Sequence, residues 1–137
     1  MFNFAGFGVQ KKRNIHIIAC YGINAHNPAI EHKVVKDNRI TLEEAMLTVR
    51  LPISDFCGIL GKICELVYEQ LRNGAQVVLI PDGPKPLIMA MSLVPAVVGF
   101  ANVTCLHISH NNALFSQVRV QARKGEIYGF QVERKQL

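Results

Sequence analysis

The chain has 137 residues, half of them hydrophobic and only 18% charged, with a formal net charge of +5. That is one domain by size, with enough apolar side chains to bury a core, and it is too apolar to be a disordered or purely electrostatic binder. No apolar run reaches the 18 to 20 or so residues that span a bilayer, so no membrane contact is expected.

Met1–Arg13 opens with Phe2, Phe4 and the Gly6-Phe7-Gly8 triplet, then Lys11, Lys12 and Arg13. Charges that follow the apolar residues are in the wrong order for a secretory signal. Residues 1–13 read as an N-terminal arm and 14–137 as a single ligand-binding domain. The four cysteines, at 20, 57, 64 and 105, show no CxxC or Cys/His metal spacing. Cys57, Cys64 and Cys105 sit in apolar patterns and read as reduced core thiols of a cytoplasmic protein. No metal and no cofactor is expected.

Asn14–Cys20 reads as the first strand, and Tyr21–Pro28, rich in Gly, Asn and Pro, as the loop after it. Within Ile30–Arg50, Val34-Val35 and a polar turn at Lys36–Asn38 read as a small hairpin. Thr41 then suits an N-cap, with Glu44 completing a capping box for a helix over Leu42–Val49. Ile53–Leu71 carries Ile53, Phe56, Cys57, Leu60, Ile63, Cys64, Val67 and Leu71 at three- and four-residue steps, the stripe of an amphipathic helix. Ser54 or Asp55 can cap it, Gly74 can stop it, and Gly58 and Gly61 fit close packing against the sheet or another helix.

Ala75–Asn112 organises the rest. The apolar run Gln76–Ile80 ends in the turn Pro81-Asp82-Gly83-Pro84-Lys85-Pro86. A segment without charge, Leu87–Val98, follows, and a second apolar run, Val103–Ile108, ends in Ser109-His110-Asn111-Asn112. This is strand, tight loop, helix and strand, a βαβ unit. Neither run alternates apolar and polar, the mark of a parallel sheet with helices on both faces. The expected fold class is therefore α/β, Rossmann-like, with a C-terminal β-hairpin over Gln117–Ala122 and Glu126–Glu133. Pro86 can open the helix at its first turn, and Pro95 should kink it or end its first part. Because that helix is apolar on every side, it should be covered by the sheet and by a second copy of the chain.

Open parallel sheets bind ligands at the carboxyl ends of their strands. Here those ends are the 81–85 loop and the 109–112 cluster. Gly83 allows a close ligand approach, the helix start offers backbone N–H groups, and Lys85 adds a full positive charge. Together they describe a phosphate site, although no Walker loop is present. His107 and His110 lie three apart on a strand and so point to opposite faces; they are not a metal pair. His107 reads as a packed histidine. His110 and, from the strand-one loop, His26 face the crevice. The chain carries no GxSxG, HExxH or Cys-His arrangement.

The turn Gly83-Pro84-Lys85-Pro86-Leu87 after an apolar strand, followed by an apolar helix, resembles the core of CARF domains, whose turn often reads GGTKPM. Leu51–Ser109 also resembles the related SAVED domains, and the likeness spans about residues 14–112. Pro84 stands where those families favour a small hydroxyl residue, and Ile23–Arg50 fits neither. The resemblance implies a cyclic oligonucleotide or related anionic nucleotide as ligand, a two-fold dimer, and a role as sensor, sponge or slow metal-independent ring nuclease in prokaryotic or phage defence signalling. The ligand residues would be Asn24, His26, Asp82, Gly83, Pro84, Lys85, Ser109, His110 and Asn111, with Lys85 and His110 as candidates for catalysis. Two other readings stand beside it. One is a structural or assembly subunit whose basic surface (Lys11–Arg13, Arg119–Lys124, Arg134–Lys135) contacts nucleic acid or partner proteins. The other is a small-molecule enzyme with His110 as general base.

Overall fold

The computed structural model describes residues 14–107. The N-terminal arm, the C-terminal hairpin and Ser109, His110 and Asn111 lie outside the described residues. Within them the order is β1 (Ile18–Ile23), α1 (Pro28–Asp37), α2 (Arg39–Glu44), β2 (Leu47–Pro52), α3 (Phe56–Arg72), β3 (Val77–Leu79), α4 (Lys85–Val98) and β4 (Val103–Cys105). The protein is mixed α/β. β1 pairs with β2 and β3 with β4, both parallel, in registers that begin Ile18↔Leu47 and Val77↔Val103. Parallel neighbours need a crossover. α1 and α2 supply it in the first pair and α4 in the second, and α3 joins the two units.

Strand alternation assigns the layers. Tyr21 and Arg50 are register partners on one face of β1–β2, and both reach Glu31 of α1. Cys20 with Val49, and Gly22 with Leu51, point the other way. There Leu51 joins Phe56, Ile59, Ile63, Cys64 and Val67 of α3, Leu79 of β3, Leu87, Ala90 and Val94 of α4, and Val103 of β4 in one core. Both strand pairs thus share the core beneath α3 and α4, and β1–β2 has a helix on each face.

α3 follows its stripe. Asp55 is the cap, its Oδ1 accepting from Gly58 N–H at 2.9 Å, and Gly74 takes φ +77° just past the helix end. The glycines do not serve close packing as expected. A side chain at Gly58 would strike the Asp55 carboxylate, and Gly61 faces open space. Gly58 therefore makes room for the cap, and nothing in the structure explains Gly61.

Several expectations change. Val34–Asp37 is helix, not hairpin, with Asn38 the turn residue between α1 and α2, and Thr41 lies inside α2 instead of capping a helix. Leu47–Val49, expected to end a helix, belongs to strand β2 (Leu47–Pro52). Pro28 at the first turn of α1 fixes φ where the lost N–H costs nothing. Hydrogen bonding to β1 outweighs the local helical signal in Leu47–Val49. α4 runs through Pro95 to Val98, so the proline neither ends it nor splits it. Pro95 is itself buried. Leu87, Ala90 and Val94 line the inner face of α4, while Met89 and Val97 are each 46% exposed in the single chain. Val78 on β3 is exposed as well, so that strand pair is covered on one face by the described residues. Cys57 and Cys105 are exposed, not core thiols, and only Cys64 is buried. No helix among the described residues is long and apolar enough to cross a membrane.

Candidate functional site

Gly22 closes the edge where the strands end. It is buried near the carboxyl end of β1, and a Cβ there would lie 2.5 Å from Ile53 Cγ2 and 2.9 Å from Pro84 Cγ. The 81–85 loop therefore rests against the end of the first strand, and only glycine fits between them. This contact sets the turn after β1 and the loop after β3 on one edge. The sequence alone suggests a loop at Gly22. The available signal was a glycine inside an apolar strand run, which marks a close backbone approach. Gly22→Ala is expected to cost about 1–3 kcal/mol of stability through overpacking, measured as a lowered urea midpoint.

The turn after β1 is internally bonded. Asn24 Oδ1 accepts from His26 N–H at 2.9 Å, and Asn24 O accepts from Asn27 N–H at 3.0 Å. Among the described residues, the Asn24 amide nitrogen and the exposed His26 ring have no hydrogen-bond partner and are left for a ligand.

The loop after β3 offers fewer donors than its sequence promises. Asp82 Oδ1 accepts from Gly83 N–H at 2.8 Å, with Gly83 at φ +105°. Pro84 and Pro86 have no N–H. Leu87 N–H turns back to Pro84 O at 2.9 Å and Ile88 N–H to the same oxygen at 3.2 Å. Among the described residues, the first turn of α4 is left with Lys85 N–H as its unspent main-chain donor. The Lys85 side chain is exposed and makes no ion pair among the described residues. The N-terminus thus presents one cation and one amide, next to the Asp82 carboxylate.

Asn24, His26, Asp82, Gly83, Pro84 and Lys85 therefore fall on the same edge. Ser109, His110 and Asn111 lie outside the described residues, so this edge is described from β1 and β3 alone. His107 is exposed beyond β4, not packed against a helix. Among the described residues no three His, Cys, Asp or Glu side chains cluster as metal ligands. Burial pushes the Cys20 and Cys64 thiols up, the opposite of what activates a nucleophile.

Sequence reading missed one polar cluster. Arg50 Nε and Nη2 donate to the Glu31 carboxylate at 2.7 and 2.9 Å, and Tyr21 OH donates to Glu31 Oε1 at 3.2 Å. The Arg50 hydrogen bond holds the Glu31 carboxyl below its ordinary range. Desolvation and the Glu31 hydrogen bond push the Tyr21 hydroxyl up. No spacing could reveal this cluster, because the sequence puts Arg50 just past a helix over Leu42–Val49 and not beside Tyr21 on a neighbouring strand. A surface depression of about 670 Å³ lies along the last turns of α3, lined by Glu65, Tyr68, Glu69, Arg72 and Asn73. α3 leaves the carboxyl end of β2 and runs back toward the start of β3, so the depression is remote from the candidate edge. Comparison of the chain with family models, curated proteins and solved structures gave no match.

Proposed function

We propose that this chain is a Rossmann-like domain of the CARF/SAVED kind that binds a cyclic oligonucleotide, or a related anionic nucleotide, at the carboxyl edge of its strands. The observation that carries the reading is the seating of the 81–85 loop against the end of β1 across Gly22, with Lys85, which makes no ion pair among the described residues, at the start of α4. Parallel pairs with helical crossovers, and helices on both faces of β1–β2, support the doubly wound class, in which ligands sit at that edge. Lys85 pairs a phosphate. Gly83 lets the ligand approach the backbone. Asn24 and His26 contact base or ribose. Any cleavage is slow and needs no metal, because placing a ribose 2′-OH in line with its phosphate is the main contribution such a site can make. Four free cysteines fit a reducing, cytoplasmic setting.

A thermal-shift screen against cyclic di-, tri-, tetra- and hexaribonucleotides, with chromatography of each hit, tests this. A rise in melting temperature with at least one ring is the expected result. No shift with any of them at millimolar concentration sinks the reading.

The binding unit is a homodimer with α4 at the interface. Residues 86–106 carry no charged side chain, yet Met89 and Val97 face outward and Phe100 is 73% exposed. A solvated helix face would normally carry charge. Light scattering is expected to give twice the chain mass at micromolar concentration without ligand; a monomer overturns this part. The exposed Ile40 and Met46, on the far side of β1–β2, favour the second reading, an assembly subunit that holds another protein there. Nucleotide-independent complex formation, lost on changing Ile40 to Asp, would select it.

A further inference from the structure

The helical layer formed by α1 and α2 is built differently from the rest. Neither helix contains a buried residue. The core draws on β2, α3, β3, α4 and β4, and the half-buried residues packed against it include none from 28–44. Ile30 and Ile40 are 42% and 66% exposed. The hydrogen bonds of this stretch are mostly its own: Ile30 N–H to Asn27 O, Asn38 N–H and Asn38 Nδ2 to Val34 O, Leu42 N–H to Asn38 O. Among the described residues, its side-chain hydrogen bonds and ion pairs to the rest of the chain converge on one group, the Glu31 carboxylate, which accepts from Tyr21 and Arg50.

Local opening follows where few apolar contacts must be given up. We propose that residues 28–44 are a detachable layer, which opens as a unit from the Tyr21–Arg50 face while the core stays folded, with Glu31 as its latch. Opening releases Arg50, whose side chain is already 58% exposed, and uncovers Tyr21 on the sheet. It also pulls on Asn27, the residue that joins α1 to the turn at Asn24–His26. The layer is thus a hinged flap whose root lies at the strand-end edge. Low burial and a single latch make this layer detachable whatever that edge binds.

Hydrogen exchange of the full chain, read by mass spectrometry, tests it. Amides of 28–44 are expected to exchange at least about 100-fold faster than those of Ile59–Val67, through openings that leave α3 protected. Glu31→Gln keeps the shape and removes the charge. It is expected to speed exchange in 28–44 by about two- to fivefold, the range a partly exposed ion pair supports, with α3 unchanged. Arg50→Gln is expected to match it, and the double variant to add little to either. Equal protection of 28–44 and α3 in the unmodified chain overturns the proposal. So does equal acceleration of both segments by Glu31→Gln, which would make the ion pair part of global stability.

Discussion

Leu87→Ala is expected to lower the unfolding free energy by about 2–5 kcal/mol, the range for emptying a filled core site. Leu87 is 2% exposed and sits in the first turn of α4. It belongs to the one core that unites β2, α3, β3, α4 and β4, and the site around it has little freedom to collapse. A domain of this size has a total of about 5–15 kcal/mol, so the loss is a large share of it. Urea denaturation followed by circular dichroism reads it directly. Met89→Ala, two residues along on the outer face, is the control, at dilutions where the proposed dimer is dissociated: a change within about 0.5 kcal/mol is expected there. If Met89→Ala costs as much as Leu87→Ala, the outer face of α4 is buried in solution, and the second copy is part of the folded unit. If Leu87→Ala costs under about 1 kcal/mol, α4 does not pack as described. Leu87 Cδ2 also lies 3.6 Å from where a Gly83 side chain would begin. Truncating it therefore removes support from beneath the candidate loop as well as from the core.

What the sequence made legible follows from how local the signals are. α3 shows itself because one stripe of side chains meets one core over 17 residues, and the βαβ unit around α4 shows itself because two apolar runs bracket a helix without charge. β2 stayed hidden. Leu47–Pro52 neither alternates cleanly nor forms a solid apolar run, and its strand character comes from pairing with β1, a contact across nearly thirty residues that no window contains. α1 was misread for the opposite reason. Val34-Val35 favours a strand locally, and the helix owes more to Pro28 and the crossover that parallel pairing demands. At the candidate edge, residue types were readable and their satisfaction was not. Gly83 and the start of α4 looked rich in donors, but Asp82 takes the Gly83 N–H, Pro84 and Pro86 have none, and Leu87 is spent on Pro84 O. Hydrogen bonds between neighbours are set by geometry, and the sequence shows only who could make them.

That shortage of donors sharpens the expectation for Lys85. Where a helix N-terminus offers several amides, a lysine beside it is one contributor among many. Here a bound phosphate would meet Lys85 Nζ and Lys85 N–H, with the Asp82 carboxylate close by in the chain. Lys85→Ala is therefore expected to weaken binding of a cyclic oligonucleotide by about 10- to 100-fold, the worth of one hydrogen bond to a charged group. Lys85→Arg should recover most of the loss. Asp82→Asn should tighten binding severalfold, since it removes a like charge and leaves the amide oxygen to accept from Gly83. Charge reversals at Arg119 and Lys124, which the sequence suggests form part of a basic surface, are expected to cost less and to lose their effect as salt rises, because charges in water are screened within about 10 Å at 0.1 M salt. Titration calorimetry at two salt concentrations separates these terms. If the Arg119 and Lys124 reversals abolish binding while Lys85→Ala leaves it intact, the ligand lies on the basic surface and not in the crevice. If Asp82→Asn weakens binding as much as Lys85→Ala does, the carboxylate is itself a contact, and the ligand presents it with a donor such as a ribose hydroxyl or a base N–H.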